Sequence, residues 1–289
     1  MTRVPDDIRQ ALEKVLQASV SGFSPMSGGC INEAGKLVTT RGVYFLKWND
    51  LDRFPEMLAT ERAGLDLLAA SNSFKIPEVI CTGVTASHQF MLMELIVPST
   101  KSPLFWNRFG ELLATLHKCT SSQYGLDHDN YIGSLPQRNK PNQSWVMFFI
   151  QQRLQAQLDL YVGRRDLRAD VRRAFDKLFA KLPDLLVTER PTLLHGDLWS
   201  GNLMVDAAGL PCVIDPAVYY GNREVDIAMT HLFGGFDKSF LDSYHATFPL
   251  EEGFDDRLQL YNLYPLLVHV NLFGDSYLSQ VVSILNRFV

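Results

Sequence analysis

Between Asp6 and Val20, apolar residues recur at Ile8, Ala11, Leu12, Val15 and Leu16, the three-and-four spacing of an amphipathic helix that begins at Asp6 or Asp7. Alternation then replaces that period. Lys36–Thr40 and Val43–Trp48 read as two strands joined at Arg41-Gly42. In the second, Tyr44, Leu46 and Trp48 share one face while Phe45 and Lys47 share the other. A helical stripe returns over Phe54–Ala70 at Met57, Leu58, Leu65 and Leu68. Two more strands, Val79–Val84 and Gln89–Glu94, follow, and the apolar run from Met91 ends in an extended segment at Pro98.

Beyond Pro98 the helical period dominates. Leu104–Lys118 places Phe105, Phe109, Leu112, Leu113 and Leu116 on one buried face, and His117 at its end suits the unpaired terminal carbonyls, a structural role. Trp145–Tyr161 and Asp170–Leu182 are two further amphipathic helices. The basic residues Arg164, Arg165, Arg168, Arg172 and Arg173 read as a solvated helix end. Ser121–Ser144 is a long polar stretch that reads either as part of a binding site or as a solvated connector. The pattern predicts an α+β chain in two lobes, a small sheet-rich one over residues 1–97 and a mainly helical one over 98–289.

Composition narrows the function without naming it. The chain has 289 residues and a formal net charge of −5, with no basic footprint for nucleic acid. The residues around Met1–Asp7 have no apolar core, so no signal peptide is expected. No apolar run approaches the roughly 18 residues that would cross a bilayer. Cys30, Cys81, Cys119 and Cys212 are widely spaced, which argues against a zinc site or disulfide framework and fits a reducing cytoplasm.

The chemistry concentrates in Leu193–Val205. An apolar strand runs into His195-Gly196-Asp197-Leu198-Trp199-Ser200-Gly201-Asn202, a second apolar strand follows, and Asp215 stands after Val213-Ile214. Asp197 and Asn202 have the Asp-x-x-x-x-Asn spacing of a loop in which the carboxylate orients a hydroxyl and the carboxamide holds magnesium. Asp215 then supplies a second hard oxygen ligand, and the set suits a divalent cation carried with phosphate. Phosphoryl transfer also needs a phosphate clamp. Lys47 on its strand, with Glu61 or the competing Glu56 on the helix after it, has the order of a Lys–Glu pair that binds α- and β-phosphates, and Glu61 is preferred for its mid-helix position among apolar neighbours. The Ser27-Gly28-Gly29 turn lets backbone N–H groups approach an anion. Met93, Glu94, Leu95 and Ile96 form a hinge that can present backbone groups to an adenine edge.

His195–Asn202 with Asp215-Pro216-Ala217 resembles the aminoglycoside and choline kinase branch of the protein-kinase-like enzymes. The form HGDLWSGN is similar to the fructosamine kinase (ketosamine-3-kinase) family. So are Tyr219–Thr230, Leu232–Phe236, Ser27–Glu33, Tyr124–Ile132, Phe148–Arg153 and the tail from Asn262 to Gly274. The resemblance covers nearly the whole chain. It implies a two-lobed protein-kinase-like fold with a small antiparallel-sheet lobe. The implied reaction transfers the γ-phosphate of ATP, with Mg2+, to the sugar 3-hydroxyl of ketosamines, after which the adduct decomposes and frees the amine. By this likeness Asp197 is the base, Asn202 and Asp215 hold magnesium, Lys47 and Glu61 clamp phosphate, and His195 and Asp226 support the loop. Trp199, Tyr219 and His269 fall on the substrate side; for Trp199, core packing is an equal reading. Leu272 stands where relatives carry a second His, which leaves acceptor preference open. Cys30 in the phosphate loop suggests either redox control through a linked homodimer or an inert thiol in a monomer. Two rival readings accompany this one: a kinase of another alcohol (an aminoglycoside, choline or a sugar) and a nucleotide-binding scaffold, which the presence of Lys47, Asp197, Asn202 and Asp215 disfavours.

Overall fold

The computed structural model describes residues 3–26 and 32–289, and within the chain two compact units separate: residues 1–105 with 201–215, and residues 106–200 with 216–289. The expected sheet-rich lobe over 1–97 falls inside the first unit, which also takes 98–105 and the segment after the Asp197 loop.

The first unit opens with α1 (Asp6–Leu16), which stops short of the predicted end at Val20 because Gln17 takes a left-handed conformation at φ 49°. Val20 is thereby released into β1 (Val20–Pro25). Next come β2 (Glu33–Thr39), β3 (Gly42–Asp50), α2 (Met57–Ala70), β4 (Val79–Val84) and β5 (His88–Glu94). The five strands make one antiparallel sheet in the order β1-β2-β3-β5-β4. Ile8, Leu12 and Leu16 of α1 bury against Leu37, Leu46, Trp48, Phe90 and Leu92 of the sheet. The predicted alternation in β3 therefore holds. Leu46 and Trp48 face α1, which leaves Lys47 for the opposite face.

From Trp106 the chain builds the second unit: α3 (Phe105–His117), the short hairpin β6 (Asn130–Ile132) and β7 (Leu135–Gln137), α4 (Trp145–Phe148) and α5 (Ala156–Val162), and α6 (Ala169–Leu185). A π-helical turn over Phe149–Gln155 joins α4 to α5, so the single helix expected over Trp145–Tyr161 is continuous but not uniformly α. After β8 (Thr192–Leu194) the chain crosses to the first unit for β9 (Leu203–Val205) and β10 (Pro211–Val213), an antiparallel pair. It returns with β11 (Tyr219–Gly221), which pairs with β8, and finishes in α7 (Glu224–Leu232), α8 (Lys238–Thr247), α9 (Phe254–Phe273) and α10 (Leu278–Phe288).

The polar stretch Ser121–Ser144 is not a solvated connector. Asn130, Gln137 and Asn139 are buried, and their amides brace the chain after Asp215. Asn130 Nδ2 donates to the Val218 carbonyl at 2.8 Å, Gln137 Nε2 to the Ala217 carbonyl at 3.0 Å, and Asn139 Nδ2 to Asn130 Oδ1 at 2.9 Å.

Candidate active site

In the first unit, Lys47 turns away from the α1 core and its ammonium pairs with Glu61 of α2 and, at 2.8 Å, with Asp215 Oδ1. Burial alone would push that ammonium toward its neutral form. Asp215 and Glu61 outweigh it and hold Lys47 charged, above its ordinary range. Burial pushes the Glu61 carboxyl up, and the Lys47 charge opposes this. Glu56 is excluded as the partner: it precedes α2 in a left-handed conformation at φ 58° and is exposed.

Asp215 follows β10 at φ 49°, a conformation uncommon for a residue with a side chain. Its backbone is held by Asn202, whose Oδ1-bearing carboxamide donates Nδ2 to the Asp215 carbonyl at 3.4 Å, and the Asn202 carbonyl accepts from Ile214 N at 3.1 Å. Asp215 and Asn202 are the residues here that could hold a cation. Among the described residues no cluster of three or more His, Cys, Asp or Glu could hold a metal ion. Two protein oxygens fit magnesium, which keeps waters and takes phosphate oxygens for the rest of its octahedron.

In the stretch expected to form a hinge, Met93 is buried, and Glu94 is committed on both sides. Its N–H donates to the Glu78 carbonyl at 2.8 Å, and its carboxylate accepts from Lys75 Nζ at 2.6 Å and Glu78 N at 3.2 Å. The Glu94 side chain therefore serves the fold. Gly28, Gly29 and Cys30 lie outside the described residues.

In the second unit, β8 delivers the His195-Gly196-Asp197 loop onto Asp226, the third residue of α7. The buried Asp226 carboxylate accepts from His195 N at 2.7 Å, Gly196 N at 2.9 Å and His117 Nε2 at 3.3 Å. Because a carboxylate only accepts, His117 carries its proton on Nε2. Its Nδ1 then accepts from the Tyr244 hydroxyl at 2.9 Å, and Tyr244 in turn accepts from Arg223 Nη1 at 3.3 Å. Burial holds His117 neutral by lowering its pKa. Nothing local marked this role: Asp226 and Tyr244 are 109 and 127 positions away. Gly196 cannot carry a side chain, since its φ is +81° and a Cβ would stand 2.0 Å from the Ala217 carbonyl oxygen. Ala217 N also donates to the His195 carbonyl at 2.9 Å, so the loop is clamped from both sides. Asp197 itself is half-buried, and its N–H donates to His195 Nδ1 at 3.3 Å.

Of the expected substrate residues, Trp199 is 39% exposed and is not a core residue. His269 is half-buried beside Phe233. The substrate contact expected at Tyr219 does not hold: the ring is fully buried in β11, with the Arg153 guanidinium 3.8 Å from its centre.

A strand lysine paired with a helix glutamate, together with a loop of Asp and Asn five positions apart and a following Asp, belongs to the protein-kinase-like fold, with an antiparallel-sheet lobe and a helical one. The sequence pattern of the fructosamine kinase family matches residues 4–289, and the chain belongs to that family. It is 41% identical over 263 residues to a probable ketoamine kinase of Synechocystis sp., covering 91% of this chain and 88% of that one. It is 36% identical over 293 residues to a chloroplastic protein-ribulosamine 3-kinase of Oryza sativa subsp. indica, covering 98% and 84%. A solved candidate fructosamine-3-kinase from Haemophilus somnus 129PT superposes with a TM-score of 0.88 at 29% identity, covering 98% of this chain and 97% of that one.

Proposed function

We propose that this enzyme transfers the γ-phosphoryl group of ATP to the sugar 3-hydroxyl of a ketosamine, a ribulosamine or fructosamine carried on an amine. Family membership and the names of the relatives support the substrate class, and the observation that carries the phosphoryl-transfer reading is the buried Lys47 bridging Glu61 and Asp215. In this reading Lys47 holds the nucleotide phosphates, with its direction fixed by Glu61. Backbone near Met93, Glu94 and Leu95 meets the adenine. Asn202 and Asp215 hold Mg2+, which when bound neutralises charge on the β- and γ-phosphates. Gly28 and Gly29 contribute N–H donors to the phosphates.

Asp197 accepts the proton of the 3-hydroxyl as its oxygen attacks the γ-phosphorus. The bond from phosphorus to the β-bridging oxygen breaks, and ADP leaves with that electron pair. The acceptor is a neutral hydroxyl, so positioning it and stabilising charge on the transferred group account for most of the rate. Asp226, through His195 and Gly196, fixes where Asp197 stands. Trp199 offers a ring face to the acceptor.

The test is purified protein with ATP and Mg2+, given synthetic ribulosyl-lysine, fructosyl-lysine, choline or an aminoglycoside in turn, with ADP release measured and the product mapped by NMR. Release that depends on a ketosamine, with phosphate on O3, is expected. Turnover of only another alcohol overturns the acceptor, and no turnover of any overturns the kinase reading.

A further inference from the structure

Five rings in the second unit touch in sequence, beginning two residues after Asp197. Trp199 meets Phe233 edge-on at 6.3 Å between centres, Phe233 meets His269 at 4.8 Å, and His269 meets both Phe273 at 5.4 Å and Tyr277 at 5.0 Å. These residues come from the catalytic loop, the end of α7, the last turns of α9 and the turn Asp275–Tyr277. Trp199 and Phe233 are each 39% exposed and Phe273 is 56% exposed. Apolar rings left contiguous and in water mark an interaction surface.

The row is braced to the catalytic loop. Gly235, at φ +89°, packs so closely on Ser200 that a Cβ there would lie 2.7 Å from Ser200 Oγ, and Phe233 is held two residues before it. The row is also uncharged. His269 Nδ1 lies 2.7 Å from the Pro265 carbonyl, which can only accept, so the proton is on Nδ1 and Nε2 keeps its lone pair. Burial lowers the pKa of this imidazole and keeps it neutral. The charges beside the far end, Arg165 and Asp275, neutralise one another at 2.8 Å.

We infer that the row Phe233–His269–Phe273–Tyr277 is the binding track for the carrier of the ketosamine, the alkylammonium stem of a glycated lysine. This deepens the proposed function and rests on it. A ketosamine nitrogen is a secondary amine, protonated near neutral pH, and it is joined to the carbon two positions from the one that bears the reacting hydroxyl. With that hydroxyl at Asp197, the ammonium comes first against the ring faces nearest the loop, where the ring quadrupole attracts a cation. The four methylenes of a lysine then continue along apolar rings, as lysine stems do on protein surfaces. A row this long exceeds what the sugar needs and suits a carrier of lysine length. A neutral His269 attracts such a cation, whereas a protonated one would repel it.

The experiment compares one sugar on two carriers, a lysine within a short peptide and methylamine, with wild type and Phe273→Ser. Phe273 is the most exposed ring and the one whose loss costs the fold least, and a thermal melt checks that the variant is folded. Wild type is expected to favour the peptide carrier about tenfold in KM, and Phe273→Ser to lose most of that preference while methylamine kinetics stay within about twofold. Equal KM for both carriers in wild type, or an equal loss on both in the variant, overturns the track. Wild type that phosphorylates neither overturns the ketosamine reading, and the track with it.

Discussion

Replacing Asp226 by Asn separates loop positioning from nucleotide binding. The carboxylate accepts three buried donors, His195 N at 2.7 Å, Gly196 N at 2.9 Å and His117 Nε2 at 3.3 Å. An Asn side chain has one acceptor oxygen and presents N–H groups where the second oxygen stood, so at least one backbone donor faces another donor. A buried donor left unsatisfied costs about 1–3 kcal/mol, and the remaining bonds lose their charge assistance, so Asp226→Asn is expected to cost roughly 2–4 kcal/mol. That is within the roughly 5–15 kcal/mol that holds a domain together, and the variant should fold. Its loop, however, is no longer fixed, and a displacement of about 1 Å at the base can lower turnover about 100-fold. Urea unfolding gives the stability change, and steady-state kinetics give kcat and the KM for ATP. Because Lys47, Glu61 and Asp215 belong to the other unit, KM for ATP should hold while kcat falls. Wild-type kcat in a destabilised variant would refute the positioning role, and a kcat loss matched by a large rise in KM for ATP would refute the assignment to the loop.

Asp197→Asn should bind ATP as wild type does by calorimetry and lose roughly 10²–10⁴-fold in kcat; undiminished turnover would remove Asp197 as the base. Tyr219→Phe should leave the acceptor KM unchanged, because its ring is fully buried against the Arg153 guanidinium; a raised KM would restore the substrate role. His117, held neutral by burial, binds a proton more readily in the unfolded chain, so its contribution is whole above the ordinary imidazole value of 6.5 and is lost as pH falls below it toward the depressed folded value. Urea unfolding below pH 6.5 should therefore lose stability more steeply in wild type than in His117→Phe, and identical slopes would count against it.

What could be read from the sequence was set by short-range pattern. The face of Lys47 followed from alternation with Leu46 and Trp48, and Glu61 from its place among Met57, Leu58 and Leu65; in the structure the two side chains form an ion pair. The Asp197–Asn202 spacing was legible because it lies within one loop. Element ends were less so, since they turned on single left-handed residues: Gln17 stops α1 early and Glu56 delays α2. His117 read as a helix end because its partners lie in α7 and α8. Tyr219 sits in a motif beside the site, but β11 pairs it with Leu194 and turns it inward, which proximity in sequence does not reveal.

Arg153 carries this furthest. Its guanidinium is fully buried, yet no carboxylate pairs with it among the described residues. It donates to the Arg138 carbonyl at 2.5 Å and to Asn139 Oδ1 at 2.9 Å, and it lies on the rings of Tyr219 at 3.8 Å and Phe148 at 4.7 Å. A carboxylate there would complete an ion pair, but it would also compete for the amides. Neutral acceptors and ring faces carry the charge while Asn130 donates to the Val218 carbonyl and Gln137 to the Ala217 carbonyl, with Asn139 donating to Asn130 Oδ1 behind them. Those carbonyls follow Asp215 at a place where neither helix nor sheet supplies them donors, so the chain spends a long polar segment on them. A rule that assigns polar stretches to solvent has to fail at such a place, because a buried functional turn must import its hydrogen-bond partners from elsewhere in the sequence.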